Sequence, residues 1–265
     1  MKETIASVLG VQVSVSSLSS ACEQILKWTR GGRSNLVTVT GAHGLVECQR
    51  DETLRRIHND ADMVTADGMP VVWMSRLLGH RQAERVYGPD LMAGVLRGSE
   101  GTGVRHFLYG GLPEALDELR VAIARDYPGV IVAGSHSPPI RDIGAVESSE
   151  VIDQINAAEP DIVWVGLSTP KQEYWMANHI ESLRPCTLIG VGAAFDFIAG
   201  RKRQAPAVLR RNGLEWLYRL LTEPRRLAGR YLQIVPWFLC LSALQLSGLK
   251  TWDSGEEYQA GADEG

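Results

Sequence analysis

The stretch MVTADGMPVVW, residues 63–73, places a carboxylate where a strand-like segment changes to a helix-like one. Residues 63–66 are mostly apolar, Asp67 and Gly68 follow, and a second apolar segment starts at Pro70. Asp and Gly are both common in turns, so a simple turn would explain the pair. In an open α/β sheet, however, ligands bind where strands end and lead into helices. Asp67 is therefore a candidate site residue.

The alternation of strand-like and helix-like segments continues along most of the chain. Strands are predicted at 10–15, 35–40, 63–66, 104–109, 130–133, 162–166 and 187–191. Helices are predicted at 17–29, 70–78, 90–97, 113–126, 146–157 and 170–183. Apolar runs such as IVWVG and TLIGVG suit parallel strands that are covered on both faces. We therefore expect an α/β fold with a Rossmann-like parallel sheet and helices on both faces, plus a C-terminal helical appendage.

The composition is that of an ordinary globular protein, with 45% hydrophobic and 22% charged residues in a chain of 265. Its four cysteines are widely spaced and form no C-x-x-C pair, which argues against a zinc site or a disulfide scaffold. The first residues, MKETIASVLG, lack the basic and apolar regions of a signal peptide. We expect an intracellular protein with reduced thiols.

Charge is distributed unevenly between the two ends of the chain. Residues 201–252 contain ten Lys or Arg and two Glu, a net charge of +8, so the remainder carries −12 of the overall −4. Together with the end of the strand–helix alternation near residue 201, this distribution predicts three parts: a Rossmann-like domain at 1–200, a basic and aromatic appendage at 201–252, and a disordered acidic tail at 253–265. Nucleic acid is not an expected partner.

Two helical pieces are predicted in the appendage, at about 207–221 and 223–246. Basic residues beside large apolar ones fit a helix that lies on an anionic membrane, and exposed Trp237 and Phe238 would then face lipid. A helical pair packed on the sheet is the alternative. The apolar stretch 234–249 falls short of the roughly 20 residues of a spanning helix, and it contains Pro236.

Other strand-to-helix junctions supply further candidates. Gly110 and Gly111 follow a strand and can hold a phosphate with backbone N–H groups, or form a tight turn. Gln172 can bind a ligand or close a T-x-x-Q capping box with Thr169. Asp196, between two phenylalanines, can bind ribose hydroxyls, cap a helix or pair with one of the basic residues that follow.

Several other features are weaker signals of chemistry. D-x-D at 60–62 can hold a divalent ion near a sugar nucleotide or simply cap a strand. His43 can act as a base or be structural, and Arg85 can bind phosphate or pair with Glu84 or Asp90. Gly190-x-Gly192 lacks the rest of a dinucleotide fingerprint, and the chain contains no P-loop motif.

Seven segments occur together in one known family. They are VTADGMPVVW, ERVYGPDLM, FLYGG, SPP, VGLSTPKQE, GVGAAFDFIAGRKRQAP and GLEWLYRLLTEPRRLAGRY, in that order between about residues 8 and 235. The chain therefore resembles the WecG/TagA/CpsF glycosyltransferases. The resemblance implies an inverting enzyme that needs no cofactor or bound metal and transfers a sugar from a UDP-sugar to a polyprenyl-diphosphate-linked saccharide. Such enzymes make teichoic acid linkage units, common antigen or exopolysaccharide, and some form homo-oligomers.

The same resemblance implies roles for individual residues. Asp67 matches the proposed catalytic base and Thr38 the threonine of a T-x-N motif, while Arg85 and Gln172 match residues that bind the diphosphate or the sugar. Matches and candidates for substrate binding are Thr40, His43, Arg85, Gly110, Gly111, Gln172, Asp196, Arg225 and Arg230. Thr40 stands where the motif has asparagine, and a hydroxyl offers fewer hydrogen bonds than an amide.

The donor sugar, the acceptor and two alternative functions stay open at this point. The donor sugar can be N-acetylmannosamine, glucose or glucuronate, and the lipid-linked acceptor can differ. The resemblance places the enzyme peripherally at the cytoplasmic face of the membrane, with the appendage reaching its anionic surface. The alternatives are a non-catalytic UDP-sugar-binding regulator, favoured only by Thr40, and a NAD-dependent enzyme, which the incomplete glycine fingerprint opposes.

Overall fold

A six-stranded parallel sheet forms the centre of the protein in the computed structural model, which describes residues 4–252 except 140, 141, 143, 144 and 212. Its strands are β3 (Asn35–Thr40), β4 (Met63–Ala66), β5 (Arg105–Gly110), β6 (Ile131–His136), β7 (Ile162–Gly166) and β8 (Thr187–Gly190). They lie in the order β4-β3-β8-β7-β5-β6. The predicted Rossmann-like α/β architecture is thus confirmed.

Alternating side chains of the central strands enter two separate hydrophobic clusters. Val37, Leu108, Trp164 and Ile189 pack against helices on one face of the sheet. Their neighbours along the strands, including Leu36, Phe107, Val163 and Leu188, pack against helices on the other face. Because both faces of the sheet are covered, the central strands are largely apolar along their length and do not alternate regularly between apolar and polar residues, as their apolar runs predicted.

The helices surround the sheet at positions close to those predicted. They are α1 (Leu18–Trp28), α2 (Ala42–Glu47), α3 (Glu52–Asp60), α4 (Met69–Leu77), α5 (Gly88–Ser99), α6 (Pro113–Asp126), α7 (Ser149–Ala157), α8 (Lys171–His179), α9 (Ala194–Ile198), α10 (Ala207–Arg211), α11 (Glu215–Thr222) and α12 (Pro224–Leu246). Helices α2, α3 and α9 were not predicted, and the helical piece predicted at 207–221 is divided into α10 and α11.

The predicted strand at 10–15 does not belong to the parallel sheet. It forms β2 (Val11–Ser14), which pairs antiparallel with β1 (Ile5–Val8) in a separate two-stranded sheet. The turn between them consists of Leu9 and Gly10, with φ of 51° and 77°. A two-residue hairpin turn with positive φ at both positions matches the right-handed twist of the strands.

The appendage is anchored to the rest of the protein by α12. Its residues Ile234, Phe238 and Leu241 are buried in a third hydrophobic cluster together with residues of the hairpin, α2 and α4. Gln245 accepts a hydrogen bond from the Leu9 N–H and donates one to the Ser7 carbonyl, at 2.9 and 2.8 Å. The alternative of a packed helix therefore holds for one face of α12, which lies against the hairpin, α2 and α4.

The expectation that Trp237 and Phe238 are both exposed is only half right. Trp237 is 52% exposed, whereas Phe238 is 6% exposed, because adjacent helix residues point about 100° apart. The bounds of α12 match the helix predicted at 223–246. Its segment Leu227–Leu246 is long and apolar enough to cross a membrane, by length and composition alone, whereas the 234–249 stretch considered from the sequence is too short. The acidic tail at 253–265 lies outside the described residues.

The two neighbours give a matched test of how α12 is held. We expect Phe238→Ala to lower the free energy of unfolding by about 3–5 kcal/mol, because a buried aromatic side chain is lost. Trp237→Ala is expected to cost less than about 1 kcal/mol, since that ring only faces Arg50 at 5.8 Å. Urea denaturation of both variants measures the difference. Equal losses would contradict the packing of α12 on the core.

Candidate active site

A cavity of about 740 Å³ opens at the carboxyl ends of β3, β4 and β8. Its walls include Gly41 after β3, Asp67 after β4, and Val191 and Gly192 after β8. Helix α12 and α11 of the appendage form the opposite wall. The edge formed by the carboxyl ends of parallel strands is where α/β proteins bind ligands, and this volume suits a substrate of moderate size.

Asp67 lies at the deep end of this cavity, held by the backbone around it. Its N–H donates to the Thr40 carbonyl at 2.9 Å, and its Oδ1 accepts from the Gly88 N–H at 3.1 Å. The second carboxylate oxygen, Oδ2, lies beside Gly41, and a Cβ placed on this glycine would be 3.8 Å from it. The turn and the functional role considered for Asp67 are therefore compatible.

Two arginines and a glutamate form an ion-pair network beside Asp67. Arg85 Nε donates to the Asp67 carbonyl at 2.5 Å, and its Nη2 contacts Glu215 Oε2 at 2.6 Å. The other carboxylate oxygen of Glu215 contacts Arg219 Nη2 at 2.7 Å, and Arg219 also bonds the Tyr87 hydroxyl. Glu215 and Arg219 belong to α11, so the network joins the appendage to the Rossmann-like domain.

The pKa values of Asp67 and Glu215 are shifted in opposite directions. Burial raises the pKa of Asp67 above its usual range, and the charge of Glu215 raises it further, against Arg85, the Gly88 N–H and Arg219. Burial also acts to raise the pKa of Glu215, but Arg219 and Arg85 outweigh it and the net pKa is lowered. Asp67 is thus the better proton acceptor of the pair near neutral pH.

His43 and Arg230 both line the cavity and interact through charge. His43 lies in the first turn of α2 and Arg230 on α12. Burial, followed by the charge of Arg230, lowers the pKa of His43, with Glu47 acting in the opposite sense. His43 is therefore a neutral imidazole near pH 7, able to accept or donate a hydrogen bond.

Gln172 lines the cavity without forming the predicted capping box. Its Oε1 accepts from the Gly192 N–H at 2.9 Å and its Nε2 donates to Glu173 Oε1 at 3.0 Å. Thr169 also donates to Glu173 Oε1, at 2.8 Å, and Pro170 is the N-cap of α8 with no side-chain cap. The local explanation of Gln172 is therefore wrong, and its substrate role stays a prediction.

Six other predicted site residues do not line the cavity. Thr38 and Thr40 are fully buried, and neither hydroxyl has a hydrogen-bond partner in the described part of the chain. Gly110 and Gly111 form a tight turn with φ of 115° and 74°. Asp196 pairs with Lys202 at 2.9 Å, and Arg225 is exposed to solvent on α12. The substrate roles of these residues stay predictions without a geometric contact to support them.

The D-x-D segment lies at the opposite edge of the sheet. Asp62 forms an ion pair with Arg33 and accepts from the Leu36 N–H at 2.9 Å, near the amino ends of β3 and β4. Its structural explanation is therefore the correct one. The four cysteines are free, and no metal-holding group of three or more His, Cys, Asp or Glu side chains occurs among the described residues.

The main site residues that the sequence did not reveal are Glu215, Arg219 and Tyr87. The i, i+4 spacing of Glu215 and Arg219 indicates a helical ion pair. Nothing in that spacing shows that Arg85, 130 residues away, completes the network. The one indication in the sequence is that these residues belong to the segments shared with the family. Tyr87 is in ERVYGPDLM, and Glu215 and Arg219 are in GLEWLYRLLTEPRRLAGRY.

The cavity thus combines a carboxylate of raised pKa with arginines whose guanidinium groups suit a phosphorylated ligand, and this chemistry is compatible with group transfer from a diphosphate. Residues 6–251 match the model of the glycosyl transferase WecG/TagA/CpsF family, and the chain belongs to that family. A Bacillus spizizenii relative is 32% identical over 180 residues, 68% of either chain. A Staphylococcus aureus relative is 29% identical over 234 residues, 88% of this chain and 89% of its own. Both are named N-acetylglucosaminyldiphosphoundecaprenol N-acetyl-beta-D-mannosaminyltransferase.

Proposed function

We propose that this glycosyltransferase moves an N-acetylmannosamine-type sugar from its UDP-sugar to a saccharide linked to polyprenyl diphosphate. The names of the two relatives indicate the sugar and the acceptor. The observation that carries the proposal is the presence of Asp67, Arg85 and Arg219 in one cavity. Such a transfer needs a group that accepts a proton and cationic groups that bind the diphosphate.

In the proposed mechanism, Asp67 accepts the proton of the acceptor hydroxyl as its oxygen attacks the anomeric carbon. The bond from that carbon to the UDP phosphate oxygen breaks, and UDP leaves with its electron pair. A single displacement of this kind inverts the anomeric centre. Arg85 and Arg219 stabilise the charge that develops on the diphosphate, so the mechanism proposed here needs no metal ion.

Appendage residues take part in this mechanism in two ways. Glu215 and Arg219 of α11 complete the network around Arg85, and α12 carries Arg230 to the cavity. Helix α12 also presents exposed apolar residues and the exposed Arg225. We propose that this surface holds the enzyme peripherally on the anionic cytoplasmic face of the membrane, where its lipid-linked acceptor lies.

The direct test is product analysis with a panel of donors. The enzyme is supplied with UDP-N-acetylmannosamine, UDP-glucose or UDP-glucuronate and a polyprenyl-diphosphate saccharide, with and without EDTA, and products are identified by mass spectrometry. We expect addition of N-acetylmannosamine, unaffected by EDTA. UDP binding by isothermal titration without transfer to any acceptor would instead favour the non-catalytic regulator. Thr40, the only feature that favoured the regulator, does not line the cavity.

The reaction is expected to depend on pH through Asp67. Because the pKa of this carboxyl is raised, kcat/KM should fall as pH decreases through a range above that of ordinary aspartates. Glu215→Gln removes a charge that raises this pKa, so the acid limb should move to lower pH. The pH profile of kcat/KM measures the shift. Glu118→Gln, at a surface ion pair with Arg201, is the control and should leave the profile unchanged.

A further inference from the structure

An apolar groove continues the active-site cavity between α4 and α12. Trp73 and Leu77 of α4 form one side, and Val235, Leu239 and Leu246 of α12 form the other. On each helix these positions recur at intervals of four or seven residues, so they share one helix face. The groove starts beside the arginine network and follows α12 away from it.

Exposure of these side chains requires an explanation. Leu77 is 68% exposed, Leu239 is 61% exposed, and Trp73, Val235 and Leu246 are each at least 40% exposed. Each apolar square ångström left in water costs about 25 cal/mol relative to burial. Contiguous exposed apolar surface of this kind marks a binding surface, and no other described residue covers it.

The two ends of the cleft differ chemically, and this difference identifies the occupant. Asp67, Arg85, Arg219 and Arg230 line one part of the cleft, whereas the groove between α4 and α12 is lined by apolar side chains, with Ser242 as a polar exception. An amphiphile with a diphosphate head and a hydrocarbon chain matches both ends at once. Segment Leu227–Leu246 has 20 residues, so the groove runs for up to about 30 Å along the helix.

We propose that this groove binds the head-proximal isoprene units of the acceptor's polyprenyl chain. The proposal rests on the proposed function, since it assumes a lipid-linked diphosphate acceptor. Continuity with the Asp67 cavity favours this chain over a bulk membrane lipid or a second copy of the protein, because neither of those has to reach the reacting atoms. The groove thereby makes the enzyme prefer long-chain acceptors over short ones.

Binding is measured first, without any sugar transfer. The probes are polyprenyl diphosphate and a short-chain alkyl diphosphate in the same detergent, followed through tryptophan fluorescence, since Trp73 and Trp216 line the cavity. Leu239→Asn is expected to weaken binding of the polyprenyl diphosphate about 10-fold and leave the short-chain probe unaffected. Leu77→Asn, on the opposite wall, should act in the same way.

The matched control is Leu232→Asn. Leu232 is 76% exposed on the same helix but does not line the groove, so its replacement should leave the binding of both probes unchanged. Equal losses in Leu232→Asn and Leu239→Asn would mean that α12 contacts detergent or bilayer generally, which overturns the groove. Equal losses for both probes in Leu239→Asn would indicate a structural defect and also overturn it.

Transfer kinetics then separate this proposal from the proposed function. With one saccharide on long or short chains, Leu239→Asn should raise KM for the long-chain acceptor alone, with kcat and the KM of the UDP-sugar unchanged. A wild-type enzyme that transfers equally well to both chains would refute the groove but keep the glycosyltransferase. A protein that prefers polyprenyl diphosphate in binding but transfers no sugar would refute the function and retain the groove.

Discussion

Replacing Asp67 by asparagine is expected to lower kcat by about 10²–10⁴-fold, the usual contribution of a general base. Asparagine keeps an Oδ1 that can accept the Gly88 N–H, so the local backbone is preserved while the proton acceptor is lost. The Kd of UDP, measured by isothermal titration, should change little. Steady-state transfer to the lipid-linked acceptor gives kcat.

Asp62→Asn is the control for this substitution. Asp62 is also a partly buried aspartate beside β4, but it pairs with Arg33 near the amino ends of the strands and does not line the cavity. Its replacement should leave kcat within a few-fold of the wild type. Full activity in Asp67→Asn, or an equal loss in both variants, would show that Asp67 is not the base.

Removing Arg85 should give the second largest effect. We expect Arg85→Met to lower kcat/KM by about 10²–10³-fold, the cost of one lost donor to a developing negative charge. Unlike Asp67→Asn, it should also raise the Kd of UDP, because the guanidinium would bind the diphosphate in the ground state. Arg85→Lys should not restore activity, since an ammonium cannot reproduce the forked contacts to the Asp67 carbonyl and Glu215.

A structural explanation of that loss can be tested in the same experiment. Arg85→Met leaves the buried Glu215 with one arginine fewer, which by itself is destabilising. The double variant Arg85→Met/Glu215→Gln removes that unbalanced charge. If Arg85 acts on the diphosphate, the double variant should recover stability to urea but not the affinity for UDP. Recovery of both would show that Arg85 serves only to neutralise Glu215.

Much of the parallel sheet could be predicted because its pattern is local. The bounds of β3, β4, β7 and α6 match the predicted segments, since apolar runs bounded by Gly, Pro and Asp identify buried strands and helix starts. The hairpin was missed because Leu9 occupies a positive-φ turn position that Asn or Gly usually fills. Helix α2 was missed because six residues that include Gly44 are too short to show a helical period.

Candidate site residues were predicted only where one segment carries the signal. Asp67 and Arg85 were identified from their motifs, and both line the cavity. Glu215 was not, because its role depends on Arg85 and Arg219 meeting it in space. Asp196 forms the ion pair that was one of its predicted alternatives, with Lys202, and does not line the cavity. Sequence spacing identifies the groups available for chemistry, whereas tertiary packing decides which of them meet.

The two faces of α12 restrict how this enzyme can diversify. Ile234, Phe238 and Leu241 are buried in the core, although Ile234 and Phe238 also reach the cavity, while the more exposed Val235 and Leu239 line the cleft on the neighbouring face. Inserting or deleting one residue upstream would rotate both sets by about 100° and expel the core residues into solvent. Adaptation to acceptors of different bulk is therefore expected through exchange of single side chains at the cleft positions, with the length of the helix kept constant.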